Sequence, residues 1–334
     1  MNDATSLTER VRPVAAGAHV TAAAFLGPAA VFALGDGTGL RLDGDSETRI
    51  ALHPESAILA AATAGKRLVT GGDDGRVVAL AGDGTHEEIF SETGKWIDAL
   101  AARDDGALAW SCGKQVFARD PQGGLKSFAA PSSVRGLAFA PKGYRLAIAH
   151  YNGATLWFPN AAAPAELLEW KGAHLDATFS PDGRFLVTSM QENALHGWRL
   201  SDKRDMRMSG YPAKTRSFSW SFDGHWLATS GAEACIIWPF KDKDGPMKKQ
   251  PRECGVRRAK VSRVACHPKA LVVAVGYEDG WILLCRMTDG AEILVRRTQA
   301  GTEDMITALT WDETGRRLAF GSGEGNAGLL DMPG

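Results

Sequence analysis

Short runs in which hydrophobic and polar residues alternate recur along the whole chain, separated by turns rich in Gly, Pro and Asp. Alternation with a period of two marks a strand that packs on one face, because successive side chains point to opposite sides. The clearest copy reads 175–179, then Ser180-Pro181-Asp182-Gly183, then 184–189, then 194–198. It predicts strand, turn, strand, loop, strand. A second copy runs 134–139, Ala140-Pro141-Lys142-Gly143, 145–149 and 154–157, and a third 216–220, Ser221-Phe222-Asp223-Gly224, 226–230 and 235–238. Within the first strands, Leu137/Phe139, Ala177/Phe179 and Phe218/Trp220 share one sheet face. No long stretch has the 3.6-residue period of an amphipathic helix.

Weaker copies fill the remainder. By alignment the first strand of each copy ends at Phe25, Thr63, Ala102, Phe139, Phe179, Trp220, Cys266 and Trp311, a spacing that averages about 41 residues. A period of 40–45 residues with four strands per unit is the signature of a propeller blade. The predicted fold class is therefore all-β: one closed β-propeller over residues 1–334 with eight four-stranded blades, and seven as the alternative. The first two copies are the irregular ones, at the turns 26–30 and 64–67. The last copy ends at Asp331 with no residues left for a fourth strand, while 9–15 precede the first copy without a repeat of their own. The N-terminal segment is expected to complete the last blade and so to cover a sheet edge that would otherwise invite aggregation.

The repeats resemble the WD-repeat family. The Ser-Pro-Asp-Gly turn at 180–183, the Gly-Gly-Asp-Asp-Gly stretch at 71–75 and the strand-ending Trp157, Trp198 and Trp238 carry the resemblance, which extends over essentially the whole chain. Phe158, Arg199 and Pro239 follow those tryptophans in place of Asp, and the one Trp-Asp pair, Trp311-Asp312, ends a first strand. The resemblance implies a structural tetrad of His, Ser/Thr, Asp and Trp, with His174, Ser189 and Trp198 in three of the roles and Asn193 at the acidic position. It also implies a protein-interaction platform whose binding loops share one face, here called the top.

Composition fits this reading. Gly is frequent, 38 of 334 residues against a usual share of about 7%, and there are ten Trp. Turns account for the first and blade packing for most of the second. The net charge of −1 speaks against a dedicated nucleic-acid or membrane-surface binder. No apolar run reaches the ~18 residues of a membrane span. The N-terminus has no apolar signal core, and five widely spaced cysteines read as reduced thiols. A cytoplasmic, monomeric protein is expected.

The search for chemistry points away from catalysis. A His-Ser-acid set could suggest hydrolysis, but Thr188-Ser189-Met190 lacks the Gly-x-Ser-x-Gly turn that exposes a nucleophile. Cys254, Cys266-His267 and Cys285 lack the paired spacing of zinc ligands, and Asp73-Asp74-Gly75 and Glu278-Asp279-Gly280 are too short for a calcium loop. The expectation is a non-enzyme with no cofactor and no metal. Charge is distributed unevenly: segment 241–260 holds eight basic and three acidic residues and reads as a solvated basic insertion.

The top loops supply the candidate contacts to a partner protein or peptide: Asp73, Asp74, Trp96, His174, Glu192, Arg257, Arg258, Lys260, Glu278 and Asp279. Two alternatives stay open. One is binding of an anionic ligand or nucleic acid through 241–260. The other is an enzyme or small-molecule binder that uses the central channel, although the first strands are poor in titratable groups there.

Overall fold

The structure is a computed structural model that describes residues 6–299, 301 and 303–333. Its contacts form two compact units, one of Met1–Phe25 with Gly210–Gly334 and one of Leu26–Ser209. Among the described residues, regular structure is almost entirely strand. The exception is a 3-10 turn at Thr8–Arg10. Within a sheet, neighbouring strands pair antiparallel.

The two clear turn motifs show why the chain folds back where it does. In 180–183 the Ser180 hydroxyl donates to Asp182 (2.7 Å) and accepts from the Phe185 amide (2.9 Å), while Asp182 also accepts from the Arg184 amide (3.0 Å). Gly183 sits at φ +76°, a conformation that costs a residue with a Cβ. Ser221, Asp223 and Gly224 repeat the device, with Asp223 accepting from the His225 amide (3.0 Å). Asp at the third position ties the turn to its own backbone, which is how short polar side chains specify turns.

Burial is greatest in the second strand of a repeat and least in the fourth. The second strands Ala29–Leu34 and Phe185–Met190 are buried along their full length. The fourth strands Ser46–Ala51 and His86–Ser91 are mostly exposed. The expected Trp anchors are inside. Trp157 packs with Ala99, Val116, Val134 and Leu146, and stacks on Phe128 at 5.5 Å. Close approach between successive sheets needs small residues. A Cβ on Gly321 would lie 2.3 Å from Val20 Cγ1, and one on Gly71 2.5 Å from Ile97 Cγ2.

In the unit Leu26–Ser209, one sheet holds Ala29–Leu34, Thr38–Asp43 and Ser46–Ala51. The next two are four-stranded, over 58–91 and 97–129. The last has six strands, over 136–208. In the other unit, sheets over 218–254 and 261–296 are four-stranded. The final sheet takes Ile306–Trp311, Arg317–Ser322 and Asn326–Asp331, with Val11–Ala15 as its fourth strand.

Two expectations meet this arrangement differently. The N-terminal strand does complete the last sheet: Val11 faces Leu330 and Ala15 faces Asn326 in antiparallel register. The count of eight blades is corrected to the alternative of seven, since the described strands form seven sheets. The cause is local. Leu146–Trp157 pairs through 146–149 with Gly136–Phe139 and through 153–156 with 166–169. Glu166–Phe179 then continues unbroken to pair with Phe185–Met190. The fourth and fifth sequence copies thereby share one hydrogen-bonded sheet.

The basic segment 241–260 carries local structure of its own. Arg252–Cys254 forms a strand against Cys235–Pro239, and Lys249 donates to Asp242 at 2.5 Å and to the Gly245 carbonyl at 3.0 Å. Among the described residues, no helix is long and apolar enough to cross a membrane.

Candidate interaction surface

Around His174 the structure shows part of the expected set, with Thr188 in place of Ser189. His174 is fully buried. Its Nδ1 meets the Thr188 hydroxyl at 2.7 Å, its Nε2 donates to the Trp170 carbonyl at 3.0 Å, and its ring lies 5.7 Å from Trp198. Thr188 takes the place expected for Ser189, because Phe185–Met190 is buried on both faces and alternation there does not show which residue points to the histidine. Burial pushes the His174 imidazole below its ordinary pKa.

A fuller version, missed in the sequence, sits around His53. Its Nδ1 donates to Asp74 at 3.0 Å and its Nε2 meets the Thr70 hydroxyl at 2.9 Å. Leu80, opposite Leu68, holds the position that Trp198 and Trp238 hold in the other two networks, so no Trp marks this one along the chain. The usable signal was His53 and Thr70 preceding Asp74 at fixed spacing. In the other unit, Tyr211 replaces the histidine. Trp238 Nε1 donates to the Tyr211 oxygen (2.6 Å), Tyr211 shares a hydrogen bond with Thr229 (2.7 Å), and Thr229 donates to the Ile236 carbonyl (3.0 Å).

The ten candidate contacts divide into three places. Asp73 accepts from the Ala57 amide at 2.8 Å, and Asp74 is held by His53 and the Arg76 amide. Their turn packs on 92–95, where the Glu92 amide donates to the Gly75 carbonyl. Trp96 follows, 66% exposed. Glu192 accepts from the Ala173 amide at 3.2 Å, next to His174. His174 itself is too deeply buried to touch a partner, which corrects its inclusion among the surface contacts.

The third place holds five of the ten. The Lys260 carbonyl accepts from the Glu278 amide (2.9 Å), which ties loop 255–260 to loop 278–281. Across that junction the Arg257 guanidinium lies 3.6 Å from the Trp281 ring centroid and 5.2 Å from that of Tyr277, and it donates to Asp279 at 2.8 Å. A guanidinium held by one carboxylate and an aromatic face is fixed in place, and its attraction to the ring is worth about 0.5–2 kcal/mol. Thr298 donates to the Asp279 carbonyl at 2.6 Å and braces the same loop. Around this core Arg258 and Glu278 are exposed, and Val256 is 66% exposed. Trp281 was not anticipated. It follows an Asp-Gly turn, and the chain alone does not show that a cation covers it.

The cysteines are core residues. Cys235 faces Cys254 across paired strands, and both pack with Cys285. All five are free thiols. Among the described residues no cluster of His, Cys, Asp or Glu could hold a metal.

Comparison with known proteins agrees with the repeats and the geometry. Residues 264–333 match the family of the anaphase-promoting complex subunit 4 WD40 domain. A stretch of 161 residues, 48% of the chain, is 22% identical to transcription initiation factor TFIID subunit 5 of Caenorhabditis elegans. That match covers 24% of the length of the curated relative. Among solved structures, the computationally designed Ika8 protein is 17% identical with a TM-score of 0.76, over 95% of this chain and 97% of that one. The Pan2 WD40 domain of Neurospora crassa is 13% identical with a TM-score of 0.65, over 84% and 90%. The chain folds as a WD40-like propeller. The buried His53, His174 and Tyr211 networks satisfy their polar groups within the fold.

Proposed function

We propose that the propeller is a non-catalytic scaffold that binds a partner protein through its exposed loops, with 255–260 and 278–281 as the principal contact. The observation that carries this reading is the Arg257–Trp281–Asp279 core. It presents Arg258, Glu278 and Val256 to solvent on loops with little freedom left to lose. Binding to pre-ordered loops avoids the entropy cost of ordering them. Arg and aromatic residues at the centre of a patch are the usual energetic anchors of an interface. WD-repeat propellers are generally interaction scaffolds, and the likeness to a TFIID subunit supports a place in a protein complex. Trp96, exposed beside the half-buried Asp73 and Asp74, is a second contact in this reading. A monomeric, cytoplasmic protein belongs to it as well.

Affinity capture with wild type and an Arg258→Glu/Val256→Asp variant, read by quantitative mass spectrometry, tests the proposal. Proteins retained by wild type and lost by a variant that melts normally are expected. Identical capture by both would remove this surface from consideration.

A further inference from the structure

A cavity in the Met1–Phe25/Gly210–Gly334 unit is lined by residues other than those of the 255–260 loop. It is a groove of about 990 Å³ between the outer strand Glu292–Arg296 and the N-terminal strand Val11–Ala15. Val11, Pro13, Leu294 and Phe320 supply an apolar wall, and Arg296, Arg297 and Asn326 supply the polar end.

Two observations indicate what fits there. The first is that the chain already lays an extended segment of itself on this edge. Ser6 pairs parallel with Leu294, and the Leu7 amide donates to the Leu294 carbonyl at 2.7 Å. At Thr8–Arg10 the chain turns away in a 3-10 turn and continues as Val11–Ala15. The groove opens beyond that departure, beside Val295, Arg296 and Arg297. An outer strand that accepts backbone pairing at one point can accept a peptide along the next few residues.

The second observation is charge. Arg296 is committed: it donates to the buried Asp304 at 2.5 Å and to the Gly280 carbonyl at 2.7 Å, and Asp304 also accepts from Asn326 at 3.0 Å. That pair is internally neutral and rigid. Arg297 is exposed, and among the described residues no carboxylate reaches it; its guanidinium lies 5.3 Å from the Trp281 ring. The groove thus ends in one uncompensated cation beside an apolar wall.

We propose that this groove is a second binding site, which takes an extended peptide segment of a partner protein. The segment alternates apolar residues with an acidic one. It lies along the Glu292–Arg296 edge with its apolar side chains on Val11, Pro13 and Phe320, and its carboxylate on Arg297. The alternation follows from the geometry of an added strand, whose side chains face the groove and the solvent in turn.

A display library of random octapeptides, selected on the full-length protein, tests this. The selected peptides are then measured by fluorescence anisotropy. Enriched sequences are expected to carry Asp or Glu flanked by apolar residues at alternate positions. Arg297→Glu is expected to weaken them at least about tenfold, about 1.4 kcal/mol, and Pro13→Asp to weaken them independently. Arg258→Glu, which touches only the loop surface, should leave them unchanged. Thermal melts show whether each variant is folded. The proposal is overturned if no sequence is enriched, or if enriched peptides lack an acidic residue or bind Arg297→Glu as well as wild type. Loss of binding in Arg258→Glu alone would likewise overturn it and place the peptides on the loops. A concentration-dependent dimer abolished by Arg297→Glu would assign the groove to a second copy of the chain instead.

Discussion

His196 makes the propeller acid-sensitive in a way that can be isolated. Its imidazole is fully buried, stacked on Trp170 at 3.9 Å and edge-on to Trp198 at 4.7 Å, and among the described residues neither ring nitrogen has a hydrogen-bond partner. Burial, with smaller contributions from His174 and Arg207, pushes its pKa from 6.5 down to about 3. The folded state therefore stays unprotonated while the unfolded chain takes up a proton below pH 6.5. Stability is complete above the unfolded value and is lost as pH falls from there toward about 3. At about pH 4.5, two units below the unfolded pKa, the loss from this one group is about 3 kcal/mol, at 1.36 kcal/mol per unit. His196→Phe keeps an aromatic ring between Trp170 and Trp198 and removes the titration. The larger ring carries a packing cost of about 1–3 kcal/mol, but that cost does not vary with pH. The quantity to read is the difference in urea unfolding free energy between about pH 7.5 and pH 4.5, followed by tryptophan fluorescence. It should be smaller in His196→Phe than in wild type by about 3 kcal/mol, while His53, His150 and His174, also lowered by burial, act equally in both. Parallel stability profiles for the two proteins, or an NMR titration of His196 near 6.5, would refute the reasoning.

Two further outcomes are expected. Removing residues 1–15 strips the fourth strand from Asn326–Asp331 and exposes the surfaces that bury Leu7 and Val14. Those two side chains alone are worth about 3–6 kcal/mol, so the melting temperature should drop sharply; an unchanged thermal melt would show that the strand is dispensable. Tyr211→Phe leaves the Trp238 ring N–H without its acceptor and should cost about 1–3 kcal/mol in chemical denaturation, a loss that an equal-stability result would contradict.

Much of the fold was readable along the chain because its determinants are local. Ser180, Asp182 and Gly183 close a turn with their own neighbours, so the motif carries its own explanation. The pairing of Val11–Ala15 with the last strand was reached by counting strands, since a four-stranded unit with three strands in hand needs a fourth. The site was less legible. His53 and Tyr211 do what a single-pattern search assigned to His174 alone. In a strand buried on both faces, Thr188 and Ser189 look alike until the histidine's position is known. The blade count went astray where Glu166–Phe179 runs on without a break, as repeat spacing counts copies and hydrogen bonding counts sheets.

The sequence by itself determined the all-β repeat, its turns and the place where the two ends meet, because each rests on residues close in the chain or on the arithmetic of strands. Only the tertiary structure decided which charges remain available. Arg257 and Arg297 lie forty residues apart in a chain of net charge −1, yet both guanidiniums lie near Trp281. One is neutralised by Asp279, and the other stands uncompensated at the end of a groove. Coulomb interaction depends on distance through space and on burial. A list of residues carries the sum of the charges but not their pairing.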